Sequence, residues 1–160
     1  MNIKIIKANY ADSKQSDDII SLLNSYAQDP MGGAEGLSQF VIENLINELA
    51  KLPHAFSILC YVDNVAVGLI NCFEAFSTFS CKPLINIHDV IVLHDYRGNK
   101  LSQKMLMEVE RIAKSKGCCK LTLEVLSKNG AAKMSYEKYG FSHYELDPKM
   151  GVAQFWQKLI

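Results

Sequence analysis

Residues 89–106 read DVIVLHDYRGNKLSQKML, and the joint in the middle of that stretch decides the fold. Before it, Val90 to Leu93 form an unbroken apolar run, the pattern of a strand buried on both faces. After it, Leu101, Met105, Leu106, Val109, Ile112 and Ala113 recur at helical spacing along one stripe, until Lys116-Gly117 stops the helix. Lys120–Leu126 then alternates, with Leu121, Leu123 and Val125 on one face. This is a strand–helix–strand unit, and such crossovers are right-handed and join parallel strands. A ligand crevice is expected beyond the carboxyl ends of those strands, where HDYRGNKLSQ (94–103) lies.

Working outward, the spacing predicts a first strand over Asn2–Lys7 and a helix over Asp17–Tyr26, with Ser16 as its N-cap and Ile19, Ile20, Leu22 and Leu23 as its apolar stripe. A loop, AQDPMGGAEG (27–36), separates it from a second helix that opens at Ser38, carries Val41, Ile42, Leu45, Ile46 and Leu49, and ends before Pro53. Phe56–Val62 and Val65–Phe76 read as strands joined by the two-residue turn Asp63-Asn64. FSTFSCKP (76–83) connects to the strand Leu84–Leu93. A short helix over Asn129–Tyr139 is capped by Asn129 and stopped by Gly140, and Phe141–Leu146 and Val152–Ile160 close the chain as strands. The order is β-α-α-β-β-β-α-β-α-β-β. It implies a mixed α/β domain over residues 1–160, with a central mixed, twisted sheet of about six or seven strands flanked by helices.

The totals narrow the function. A chain of 160 residues is long enough for one well-formed core. Lysine and arginine number 17, as do aspartate and glutamate, so no global field draws in nucleic acid or an anionic membrane. An anionic ligand must be held by a local arrangement. Apolar stretches such as VAVGLI and HDVIVL fall well short of the roughly 20 residues that span a bilayer. MNIKIIKANY alternates like a strand and has no long apolar segment of the secretory kind. Five cysteines with no CxxC pair argue against a disulfide framework and against a structural zinc site, so no metal is expected. Cys60 and Cys72, inside strand-like runs, read as small core residues. A reducing cytoplasm is the expected setting, and nothing in the residues fixes the oligomeric state; a homodimer is compatible with them.

The loop at 94–103 leads into a helix N-terminus, whose unpaired amides and dipole make an anion site. It has a single glycine, Gly98, and matches neither GxxxxGK[ST] nor GxGxxG, which sets aside a nucleoside triphosphate or a dinucleotide. It does resemble motif A of the GNAT N-acetyltransferase superfamily, Arg/Gln-x-x-Gly-x-Gly/Ala after a strand. SKNGAAKMSYEKYGF (127–141) is similar to that family's second motif, which runs Asn, then Ala, then Tyr, then Gly-Phe. The resemblance covers roughly residues 56–146. It implies acetyl-CoA as cofactor. The pyrophosphate would be held by Arg97, Gly98, Asn99, Lys100, Leu101, Ser102 and Gln103, and the pantetheine arm by backbone groups at Ile91, Val92 and Leu93; Asn129 belongs to the same cofactor set. Lys100 and Ser102 stand where the family has small residues. If residues 99–102 already form the first helical turn, no glycine is needed there, and the Lys100 ammonium is available to a phosphate.

The same resemblance implies the chemistry. Tyr136 falls on the tyrosine that protonates the leaving thiolate, a transfer uphill by only roughly 2 kcal/mol on reference values. His88 occupies the strand position where several members carry a glutamate that takes the amine proton, and an imidazole can do that near neutral pH. Glu124, on the neighbouring strand, is the rival base, while Asp89 would orient His88 or face the other side of the strand. Acceptor contacts are expected from the variable loops: Tyr26, Asp29 and Met31 on one wall, Phe76 and Thr78 opposite. The acceptor is a small-molecule amine or a peptide amine. A non-catalytic acyl-CoA-binding domain is the alternative, and an interaction module that binds no cofactor is a third reading.

Overall fold

A computed structural model describes residues 1–144 and 147–160. Its strands, β1 (Ile3–Lys7), β2 (Ala55–Val62), β3 (Val65–Ser77), β4 (Lys82–Val92) and β5 (Leu121–Leu123), lie side by side in chain order. Neighbours pair antiparallel from β1 to β4, and β5 pairs parallel to β4. The helices are α1 (Ser13–Gln28), α2 (Gln39–Ala50), α3 (Leu101–Ser115) and α4 (Gly130–Tyr139). All five strands and α1 to α3 belong to one compact unit, Met1–Leu126; α4 belongs to a second, Ser127–Ile160.

The local signals formed what they specify. Asp63 and Asn64 take φ of 49° and 68°, the paired left-handed conformations of a two-residue hairpin. Ser38 caps α2 through Val41 N–H, and Asn129 caps α4 through Ala132 N–H. The first helix starts earlier than expected. Asp12, not Ser16, is its N-cap, accepting from Gln15 N–H at 3.0 Å, while Gln15 Oε1 reaches back to Asn9 N–H at 2.8 Å. The cap satisfies one orphan amide of the first turn, a second bond from Gln15 Nε2 to Asp12 Oδ2 at 3.1 Å holds it, and the helix starts at Ser13 rather than after Ser16. The Ser16 hydroxyl donates instead to the Tyr10 carbonyl at 3.0 Å.

The α3 stripe is buried as the spacing requires, from Leu101 through Ala113. Its centre is Met105, which lies over Gly68 of β3: a Cβ built on that glycine would stand 2.8 Å from Met105 Cε and 3.2 Å from Cys60 Cβ. Gly68 therefore sets how closely α3 approaches the sheet. The opposite face buries Leu59, Tyr61, Leu69 and Ile91 against Ile19 and Leu22 of α1. Cys60 and Cys72 are buried and unpaired, as core residues would be.

Two parts of the sheet are smaller than the alternation suggests. β5 pairs only over Leu121–Leu123, because its partner β4 leaves it after Ile87. The strands expected over Phe141–Leu146 and Val152–Ile160 are not formed among the described residues; 145 and 146 lie outside them. Residues 151–160 have no regular structure, and Phe155, Trp156 and Leu159 are exposed. An alternating sequence becomes a strand only where a neighbouring ladder takes its backbone bonds, and no such ladder is present there among the described residues. Among the described residues the sheet has five strands where six or seven were expected, with the mixed α/β architecture as expected.

The Gly68–Met105 approach makes a test of the packing. Gly68→Ala is expected to cost about 1–3 kcal/mol by overpacking, and less when combined with Met105→Ala. Urea denaturation of the two single variants and the double variant measures that coupling.

Candidate active site

The site begins with a bulge. Asn71 of β3 pairs with Asp89 of β4 and Cys72 pairs with Ile87, so His88 is an extra residue with no partner across the ladder. A bulge bends its strand and increases the local twist. Here it falls one residue after the last β4–β5 pair, Ile87 with Leu123. From His88 to Val92, β4 keeps β3 on one edge and has no strand on the other among the described residues. Leu93 N–H donates to Val67 O at 2.9 Å, which fixes the phase of the antiparallel ladder. Alternation then directs the backbone groups of Ile91 and Leu93 toward β3 and those of Val90 and Val92 toward the open edge. Of the backbone groups assigned to pantetheine by resemblance, Val92 is turned outward, whereas Ile91 and Leu93 are turned inward; Val90, outside that set, is turned outward as well.

The bulge also places two consecutive side chains on one face. His88 sets its ring edge against Phe73 at 5.6 Å and 86°, and Asp89 accepts from Asn71 Nδ2 at 2.9 Å. Phe73 and Asn71 are two apart on β3, hence on the same face. Asp89 therefore shares a face with His88 rather than facing the other side of the strand. It closes a chain of hydrogen bonds across three strands: Tyr10 to Ser57 at 2.9 Å, Ser57 to Asn71 at 2.7 Å, Asn71 to Asp89. Ser57 and Asn71 are buried, 1% and 5% exposed, whereas His88 is exposed. Tyr26 lies within electrostatic reach of Asp89 and Asp29; burial first, then those two charges, push its phenol up and keep it protonated. Tyr10, Ser57 and Asn71 escaped the sequence reading. The signal was there, a serine and an asparagine inside the otherwise apolar runs FSILCYV and VAVGLINCF.

The loop after β4 turns through a 3₁₀ segment at His94–Tyr96, and α3 starts at Leu101. Among the described residues, no backbone acceptor pairs with the amides of Gly98, Asn99, Lys100, Leu101 or Gln103. Gly98 has φ 82°, and Lys100 caps the helix with φ 58° and ψ 23°. Lys100 is thus left-handed, not in a first helical turn, and occupies a conformation that glycine adopts without strain. The expectation that residues 99–102 need no glycine is corrected at this one position.

Arg97 braces the loop. Its Nε donates to Val92 O at 3.0 Å and its Nη2 meets Asp29 Oδ2 at 3.2 Å. Asp29 also accepts from Met31 N–H at 2.9 Å, and that bond, followed by Arg97, holds its carboxyl below the usual aspartate range. Tyr26, Asp29 and the exposed Met31 therefore gather at the end of α1 beside Arg97. Phe76 and Thr78 do not join them. They sit at the other end of the β3–β4 ladder, where Phe76 pairs with Pro83, about 30 Å of strand from Val92 at roughly 3.3 Å per residue. Glu124 is exposed just past β5. In the second unit, Tyr136 lies on α4 with its ring edge against Phe141 at 5.9 Å, and the Asn129 oxygen is taken by its helix cap.

A strand that parts from its parallel neighbour at a bulge, and ends in a loop of unpaired amides, is a particular architecture. The family model described as "Acetyltransferase (GNAT) family" matches residues 19–141. The chain belongs to the GNAT acetyltransferase family. Solved structures of similar fold include a probable acetyltransferase at 16% identity, with 98% of each chain covered and a TM-score of 0.81. AAC(6')-Iy, solved with the bisubstrate analogue CoA-S-monomethyl-acetylneamine, is 16% identical over all of both chains with a TM-score of 0.78. A ribosomal-protein-alanine N-acetyltransferase from Brucella melitensis biovar Abortus 2308 is 18% identical, covers 91% of this chain and 99% of its own, and has a TM-score of 0.68. No curated protein matches the chain. Among the described residues of this GNAT member, no group of three or more His, Cys, Asp or Glu is placed to hold a metal, and no helix is long and apolar enough to cross a membrane.

Two tests follow from the loop. Lys100→Gly removes a left-handed strain of about 1–2 kcal/mol, so its melting temperature should equal or exceed the parent's; Lys100→Val, β-branched at the same φ, should melt lower. The Asp29 carboxylate, with its folded pKa lowered, stabilises the fold above the ordinary aspartate range, and this contribution is lost as pH falls through that range to the lower folded value. Asp29→Asn should flatten that part of the acid limb in denaturation measured from neutral pH downward.

Proposed function

We propose that the chain is an acetyl-CoA-dependent N-acetyltransferase that moves an acetyl group to a primary amine by direct attack, with residues 1–160 acting as a single domain. The observation that carries this reading is the open edge of β4 beyond His88. There the backbone of Val90 and Val92 is turned outward, and the strand leads into the unpaired amides of residues 98–101. An extended arm bearing amides can add to such an edge as another strand would, and a diphosphate suits the amides at the start of α3. With no net charge on the chain, that local arrangement supplies the attraction for an anion.

In the reaction, the amine lone pair attacks the thioester carbonyl carbon, and the C–N bond forms as the C–S bond breaks. The Val92 N–H, on the open edge, is the donor for the charge that develops on the carbonyl oxygen. One such donor contributes about 2.7–4 kcal/mol in a measured case. Tyr136 gives its phenol proton to the departing thiolate and recovers one from solvent. His88, or Glu124, takes the proton that the amine loses. The exposed imidazole at the bulge favours His88, because it stands on the same face as Asp89 and the Tyr26 wall. The acceptor is an amine carried by a small molecule or a peptide; the similar structures include AAC(6')-Iy, an aminoglycoside N-acetyltransferase, and the ribosomal-protein-alanine N-acetyltransferase.

The test is a thermal shift followed by turnover. Coenzyme A at 100 times its dissociation constant should add about 2.7 kcal/mol of stability. Acetyl-CoA should then release thiol in the presence of a primary amine, and Tyr136→Phe should slow release without weakening coenzyme binding. Binding without amine-dependent release is the outcome expected of a non-catalytic acyl-CoA-binding domain. Normal turnover by Tyr136→Phe removes the tyrosine from its role.

A further inference from the structure

The chain that ends on Asp89 has a determined direction. A carboxylate only accepts, so Asn71 must present its amide N–H₂ to Asp89. The Asn71 oxygen then accepts, and the Ser57 hydroxyl donates to it. Ser57 has spent its only hydrogen, so Tyr10 must donate to Ser57. Burial raises the Tyr10 phenol and keeps that hydrogen in place. Each member has one permitted orientation, and the last bond fixes Asp89 through Oδ2, leaving Oδ1 without a partner among the described residues.

Such a chain is costly if it serves only packing. Ser57 and Asn71 occupy buried positions in strands that are otherwise apolar, and an alanine or valine at the first and a leucine at the second would avoid desolvating a hydroxyl and an amide. The chain is also no proton path, because the carboxamide in its middle does not readily pass a proton on. What it does is hold one carboxylate still at the edge of the buried region, beside the exposed His88 and within reach of Tyr26.

We propose that Asn71 is a positioning residue: the chain from Tyr10 through Ser57 and Asn71 fixes the Asp89 carboxylate so that its second oxygen receives the ammonium group of the acceptor. This rests on the amine-acetylating reading above. The bulge gives the arrangement its sense, since it brings the group that holds the cation, Asp89, and the group that takes its proton, His88, to the same face at adjacent positions. The substrate class is then an amine that arrives protonated. Acetyl-CoA, addressed by the backbone edge of β4, makes no use of the chain.

Steady-state kinetics with acetyl-CoA and whichever member of a primary-amine panel (a diamine, an aminoglycoside, an alanine-initiated peptide) gives the fastest thiol release test this. Asn71→Leu, similar in volume but without donors, should raise the acceptor KM about tenfold, since it strands the groups on either side, and leave the acetyl-CoA KM unchanged. Ser57→Ala should act in the same direction by about threefold. If Asn71→Leu fails to fold, Ser57→Ala carries the same comparison. Asp89→Asn should raise the acceptor KM as well, and in that background Asn71→Leu should add nothing, because Asn71 acts through Asp89. Equal increases in both KM values, or independent effects of Asn71→Leu and Asp89→Asn, would overturn the positioning role while leaving acetyl transfer standing. A parent protein that binds coenzyme A but releases no thiol with any amine overturns both.

Discussion

One inserted residue on β4 governs everything around it. If His88 had a partner on β3, the ladder would run regularly and β4 would have no cause to bend away at that point. With the bulge, β4 bends, β5 stays behind after three pairs, and among the described residues no strand pairs with the outer edge of the last stretch of β4, where only Val92 O is met, by Arg97. An unpaired backbone amide or carbonyl shut away from solvent costs about 1–3 kcal/mol. The bare edge therefore calls for water or another extended chain to satisfy it. The site is made by withholding a strand, not by adding a set of functional groups.

The loop that follows shows the balance at finer scale. Lys100 in a left-handed conformation costs about 1–2 kcal/mol. A helix N-terminus offers an anion about 0.3–1 kcal/mol per charge where exposed, and more where partly buried. The strain is thus comparable to the dipole's own contribution, and a lysine at this position is tolerable only because neighbours hold the turn. Arg97 is one of them. It ties the loop to the end of β4 through Val92 O and to the α1–α2 connection through Asp29. On the proposed reading, the arginine of the motif acts here as a brace that aims the amides, while the amides themselves meet the phosphates.

Much of this was legible beforehand, for a physical reason. The α3 stripe, the Asp63-Asn64 reversal, the Ser38 and Asn129 caps and the position of the loop all depend on residues within a few places of one another. What the sequence hid depends on partners far away. The bulge at His88 exists only relative to Asn71 and Cys72. The length of β5 follows from where β4 leaves it. Ser57, Asn71 and Asp89 are 14 and 18 residues apart, and each alone looks like a minor interruption of an apolar strand. Ser16 was a sound cap candidate, but Asp12 takes the cap, accepting from both the N–H and the Nε2 of Gln15. The alternation in 152–160 is a tendency that no ladder takes up among the described residues.

The geometry also separates the two substrates of the proposed reaction by direction. Backbone groups of β4 point within the plane of the sheet and, on that reading, address the thioester carrier; the side chains of His88 and Asp89 stand out of that plane on one face and, on the same reading, address the acceptor. The first kind of recognition is indifferent to side-chain identity, provided the strand stays open and the loop keeps its amides free. The second depends on what residues 88 and 89 are and on what holds them. The fold itself is kept to a TM-score of 0.81 at 16% identity in a similar solved structure. In this chain that face carries an imidazole and a carboxylate side by side, with a buried amide, a hydroxyl and a phenol aligned behind the carboxylate alone.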